Sequence, residues 1–133
     1  MHCRLSDKYA PATTRVEKRF QDDEVTAYFE SQGHEIVRIN TRTKCDEFSQ
    51  EVDILSKKDG VLFVTEVKNI VNHHQIQTAI GQLILHKFGY KKINSGKIVY
   101  QIVFPKRYQI YRYFSKDFLN YLDEGFGIKV VFV

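Results

Sequence analysis

The sequence predicts one α/β domain: a mixed central β-sheet flanked by helices, in the order α-β-β-β-α-β-α-β. Three observations carry this. Two short apolar, β-branched runs flank the turn Lys57-Lys58-Asp59-Gly60, which marks a β-hairpin. Two longer stretches, one near the N-terminus and one after Gln75, space their apolar residues at helical intervals. The near-continuous apolar run Lys97 to Phe104, KIVYQIVF, has the composition of a buried central strand. At 133 residues the chain is long enough for a proper core without disulfide or metal staples.

Residues 1–13 read as a flexible N-terminal arm, with Pro11 set against a helix there, and 14–133 as the domain. Thr14 suits an N-cap with Glu17 as its capping-box partner, and the helix is expected to run to about Gln32, ended by Gly33. Its apolar residues Val16, Phe20, Val25, Tyr28 and Phe29 keep helical spacing except for one loose step after Phe20. Ile36 to Ile39 is the first strand; Asn40 to Lys44 ends it and leads into a polar loop, Cys45 to Ser49. Glu51 to Leu55 and Val61 to Lys68 form the hairpin. With Lys58 and Asp59 as its loop, Glu51 opposes Glu66 and Asp53 opposes Val64. Asp53 and Glu66 are then diagonal neighbours on one face, roughly 7–8 Å apart at the backbone. Lys68 shares that face, and any even change of register preserves it.

Ile70 to His74 reads as a loop. Its paired histidines lack partners at a metal-ligand spacing. A helix follows from Gln75 to about Gly89, with Ile76, Ala79, Ile80, Leu83, Ile84 and Phe88 as the buried stripe. Gln75, Thr78, Gln82 and His86 form a second, polar stripe. Gly81 costs about 1 kcal/mol in a helix, and a close approach to the sheet would account for it. After the central strand comes a basic, tyrosine-rich segment, Lys106 to Phe114. Ser115 caps a short helix to about Leu122, and Gly125-Phe126-Gly127 turns into a last strand, Ile128 to Val133.

Charge is unevenly spread. Residues 1–66 carry 10 Lys/Arg against 13 Asp/Glu, whereas 67–133 carry 10 against 3. No acidic residue lies between Glu66 and Asp117. An acidic cluster beside a basic half suits a polyanion, whose phosphates meet the lysines and release counterions; a solvated basic surface is the competing reading. Cys3 and Cys45 show neither a zinc spacing nor a disulfide framework, so they read as reduced thiols. No stretch approaches the roughly 20 apolar residues of a membrane span, and no secretory signal is apparent, so a cytoplasmic location is expected.

Two carboxylates and a lysine on one hairpin face either remain solvated at a surface or hold something between them. A hard divalent cation is what carboxylates, a backbone carbonyl and waters bind well. The arrangement Asp53, β-turn, Glu66-Val67-Lys68 resembles the PD-(D/E)XK nuclease superfamily, with Val52 where proline often precedes the first acid. The resemblance implies a restriction-endonuclease-like fold. It also implies Mg²⁺ (or Mn²⁺) held by Asp53, Glu66 and the Val67 carbonyl, with Lys68 activating or positioning water. It implies a glutamine of the following helix at the site, here Gln82 in Ala-Ile-Gly-Gln-Leu, and an acid from the first helix. Glu17, Asp22 and Glu24 are all candidates for that acid, and Glu17 is equally a capping residue. The run from Ala79 to the C-terminus is also similar to cyanobacterial element-excision factor proteins that carry the nuclease motif.

These likenesses imply a Mg²⁺-dependent endodeoxyribonuclease. A non-catalytic DNA-binding or DNA-excision accessory module of the same fold is the alternative, and an RNA-processing nuclease remains open from residue types. DNA is the expected partner, met by Arg42, Lys44, Lys87, Lys91, Lys92, Lys106 and Arg107. A chain this short, with no separate DNA-reading domain, is expected to act as a homodimer or with a protein partner.

Overall fold

The structure is a computed structural model that describes residues 3–6, 18–45, 48–90 and 96–133, without the side chains of 3–6 and 41–50. Six strands form one mixed sheet in sequence order: β1 (Cys3–Ser6), β2 (Glu35–Cys45), β3 (Phe48–Lys58), β4 (Val61–Val67), β5 (Ile98–Phe104) and β6 (Ile128–Phe132). β1 to β4 run antiparallel, and β4, β5 and β6 run parallel. Parallel neighbours need crossovers. These are the helices α2 (His73–Tyr90) and α3 (Lys116–Phe126), while the first helix, α1 (Phe20–Val25 continued by Thr26–Ser31), precedes β2. Cys3–Ser6, inside the segment read as an arm, pairs with the far end of β2.

The hairpin turns on Asp59-Gly60 rather than Lys58-Asp59. Both residues have positive φ, +51° and +77°, as the type I′ turn requires to match strand twist. Lys58 therefore pairs with Val61, and every pair moves by two: Leu55 opposes Val64 and Ile54 opposes Thr65. One step further along the same ladder, Asp53 comes level with Glu66 instead of diagonal to it. Because the shift is even, the facing is unchanged.

Two apolar layers sandwich the sheet. On one side α2 and α3 bury Ile76, Ala79, Leu83, Tyr90 and Leu122 against Leu55, Val64, Ile102, Phe104 and Ile128. On the other, α1 packs Phe20, Val25 and Phe29 on Ile54, Val67 and Val103. Each such large side chain, fully buried, contributes roughly 1.5–3 kcal/mol. A buried polar pair, Gln101 Nε2 donating to Thr65 Oγ1 at 3.0 Å, ties the two central strands together.

α1 winds as a π-helix over Phe20–Val25 and as an α-helix over Thr26–Ser31. The loose step after Phe20 is this feature. With i→i+5 bonding, residues five apart share a face, so Phe20 and Val25 are both buried. The first strand outruns its expected end, because Asn40 to Cys45 continue pairing with β3 as far as Cys45–Phe48. Asn72 caps α2, its Oδ1 accepting from the Gln75 N–H at 2.8 Å, so His73 and His74 form the first turn rather than a loop. α3 likewise begins at Ser115, whose hydroxyl accepts from the Phe118 N–H, and ends at Gly127 with φ +65°. Gly125 and Phe126, expected in the turn, belong to that helix.

The buried face of α2 is rotated from the expected stripe. His86, Gly89 and Tyr90 are buried, while Ile84 and Phe88 are 46% and 43% exposed. Gly81 faces outward, and a Cβ placed there would meet nothing within 4 Å, so no close approach to the sheet explains it. Among the described residues no helix is long and apolar enough to cross a membrane.

Candidate active site

The site gathers where β3 and β4 lie side by side, near the carboxyl end of β4. Asp53 stands on β3, and its Oδ2 accepts a hydrogen bond from the Val67 N–H at 2.8 Å. A carboxylate docked on a backbone N–H of the neighbouring strand has little freedom to swing. Its pKa is nonetheless pushed well above the ordinary 3.8. Burial is the largest cause, and the charge of Glu66 adds to it; the Val67 N–H and the Lys68 charge pull the other way. The two carboxyl groups lie within hydrogen-bonding reach of each other.

Glu66 is 1% exposed, and its Oε1 lies 2.7 Å from Nε2 of His86, itself fully buried on α2. Burial pushes the His86 imidazole down to about 4, against the opposing pull of the Asp53 charge and the Glu51 backbone. Lys68 leaves the end of β4 and is 8% exposed; its N–H donates to the Val103 carbonyl at 2.9 Å, which anchors it to β5. Gln82 sits one helical turn before His86, and its buried Oε1 has no hydrogen-bond partner among the described residues.

The opposite face of the sheet holds Asp53 through its backbone. Gln21, buried in the π-helical part of α1, donates from Nε2 to the Asp53 carbonyl at 3.0 Å and to Asn40 Oδ1 at 3.1 Å. Asn40 pauses β2 at positive φ, +53°, between the pairs Ile39–Ile54 and Thr41–Val52, hence opposite Asp53. Asparagine tolerates that conformation better than most residues. Of the first-helix acids, Glu17 lies outside the described residues. Asp22 is partly buried, its Oδ1 enclosed without a hydrogen-bond partner among the described residues, and Glu24 is exposed.

The basic residues divide. Arg107 follows β5 at the same end of the sheet, donating to the Asn69 carbonyl at 3.3 Å and lying 4.7 Å over the Tyr108 ring. With Arg19, Phe20, Glu24, Asn69 and Pro105 it lines a cleft one residue beyond Lys68. Lys106 beside it is exposed. Lys87 instead turns to α3, its Nζ donating to the Phe126 carbonyl at 2.6 Å. Lys91 and Lys92 lie outside the described residues. Arg42 and Lys44 lie on β2, paired with β3 at Glu51 and Ser49.

Asp53, Glu66, Val67 and Lys68 are thus brought together, with Gln82 on the helix above. Nothing in the sequence singles out Gln21 or Asn40, and the polar stripe of α2 does not by itself pair His86 with Glu66. The only trace near Gln21 is the loose step beside it. The donor set fits a hard divalent cation: two carboxylates side by side, one of them destabilised as an anion by the other, are what such a charge relieves. Among the described residues no group of three or more His, Cys, Asp or Glu forms a metal cluster, so the remaining ligands would be backbone oxygen and water.

No family model matches the chain and no curated protein matches it. Solved structures do. A fdxN element excision controlling factor protein from Anabaena variabilis superposes with a TM-score of 0.65 at 16% identity, covering 82% of this chain and 87% of that one. An XisH family protein from Nostoc punctiforme gives 0.65 at 15% identity, over 82% and 88%. A repair endonuclease from Pyrococcus abyssi gives 0.51 at 15% identity, covering 95% of this chain and 49% of that one, so this chain spans about half its length. The fold is restriction-endonuclease-like, and the structural likeness to the excision factor proteins covers 82% of this chain, more than the stretch from Ala79 onward in which it was expected.

Proposed function

We propose that this protein is a divalent-cation-dependent endodeoxyribonuclease that hydrolyses phosphodiester bonds. The observation that carries this reading is the intact set Asp53, Glu66 and Lys68, folded onto adjoining strands so that Glu66 raises the Asp53 pKa. A merely solvated hairpin face would leave its acids exposed, whereas Glu66 and Lys68 are buried.

Asp53, Glu66 and the Val67 carbonyl would hold Mg²⁺ or Mn²⁺. When bound, the cation supplies positive charge at the phosphoryl oxygens and acidifies a water. Lys68 brings an ammonium to the same end of β4, where it orients the attacking water and balances the carboxylates. Gln82 Oε1 offers a buried acceptor for a water hydrogen. Arg107 and Arg19, across their cleft, hold flanking phosphates and keep the strand in line with Asp53. Docking of Asp53 on the Val67 N–H keeps one carboxylate in place before substrate arrives.

The excision-factor likeness supports a second reading, a DNA-excision accessory module of the same fold that works with a partner. Purified protein incubated with Mg²⁺ and supercoiled, linear, single-stranded and branched DNA separates the two. Cleavage abolished by EDTA and lowered by orders of magnitude in Asp53→Ala and Glu66→Ala is expected. Undiminished cleavage by Asp53→Ala would sink the catalytic assignment, and DNA binding without any cleavage by the wild type would favour the accessory module.

A further inference from the structure

We propose that His86 is a positioning residue for this site: its Nε2–H holds Glu66 in the orientation in which that carboxylate meets the cation beside Asp53. The inference rests on the cation-dependent reading above and deepens it.

Both partners are sealed from solvent, 0% and 1% exposed, and the hydrogen bond between them is short at 2.7 Å. A carboxylate can only accept, so Nε2 supplies the hydrogen. The helix that carries the ring is held in place. Leu83 and Tyr90, on either side of His86 along α2, are fully buried in the core, which fixes the helix over the sheet. α2 meanwhile exposes Ile84, Leu85 and Phe88. Turning that apolar face outward while burying an imidazole costs apolar burial, and the hydrogen bond to Glu66 is what this roll of the helix brings about. A buried polar pair is commonly no more stabilising than an apolar pair of similar volume. Stability alone therefore accounts poorly for a histidine here, whereas orientation of a ligand accounts for it. Groups that hydrogen-bond a metal ligand set its direction, and their removal typically lowers metal affinity about 10–100-fold.

Mn²⁺ titration, followed by the electron paramagnetic resonance of free Mn²⁺, tests this on the full chain. The variants are His86→Gln, whose amide can donate from nearly the same place, His86→Asn, whose amide is too short, and His86→Leu. Metal-free circular dichroism melts report folding. Mn²⁺ affinity should fall about 10–100-fold in Leu and Asn and recover most of the way in Gln. Where Leu fails to fold, the Asn and Gln pair decides, since both are polar and differ in reach. Wild-type affinity in Asn would overturn the proposal, and equal losses in Asn and Gln would reduce His86 to packing. Absence of Mn²⁺ binding by the wild type would instead overturn the cation-dependent reading, and this inference with it.

Discussion

Replacing Gln21 with methionine keeps the length of the side chain and removes both hydrogens that Nε2 donates, to the Asp53 carbonyl and to Asn40 Oδ1. Gln21 and Asn40 are 4% and 5% exposed, so water cannot readily replace the lost donor. Two hydrogen bonds at about 1 kcal/mol each give about 2 kcal/mol, and stranded buried acceptors raise the loss toward about 4 kcal/mol. Unfolding entropy near 2.1 cal/mol/K per residue implies about 0.28 kcal/mol/K for this chain, so the melting temperature should fall by roughly 7–14 °C. Differential scanning calorimetry in metal-free buffer measures this directly. Cleavage by Gln21→Met at a temperature where it is fully folded should also be slower, since the strand that presents Asp53 loses its tether. A melting temperature within about 2 °C of wild type would mean that the amide holds nothing, and the account of the π-helical segment as a clamp on β3 would fail.

Three other outcomes follow from the same geometry. The folded pKa of Asp53 is raised, so its proton stabilises the fold fully below pH 3.8 and that contribution is lost as pH rises through the folded value. Asp53→Asn, which cannot ionise, should therefore gain stability over metal-free wild type progressively from about pH 4 upward; a pH-independent difference between the two melting curves would refute the shift. Arg19→Ala with Arg107→Ala should weaken DNA binding alike across sequences and flatten the slope of log affinity against log salt by about 0.9 per lost contact. An unchanged slope would leave their cleft without a role in phosphate binding. Gly81→Ala should stabilise the protein by about 0.5–1 kcal/mol, because the position is helical, exposed and open around a new Cβ; a loss of stability in urea titration would contradict that.

The facing of Asp53, Glu66 and Lys68 was legible in the sequence because strand side chains alternate with period two. Moving the loop by one residue shifts the register by two, which leaves them on one side of the sheet. The strand β5, the caps at Ser115 and Gly33, and the presence of a helix from Gln75 onward were readable for a similar reason: each depends on a few neighbouring residues. The π-helical turn left a trace in the step from Phe20 to Val25, yet nothing local says that Gln21 then reaches β3. Tertiary structure decided what depends on how one element is rolled against another. The phase of α2 is the clearest instance. Its apolar residues are numerous enough for two stripes, and the sequence periodicity favoured Ile84 and Phe88. Packing on the sheet selected the face bearing Leu83, His86 and Tyr90, which brings the imidazole of a residue 20 positions away onto Glu66. Helical period is a property of the chain; helix roll is a property of the surface it lands on.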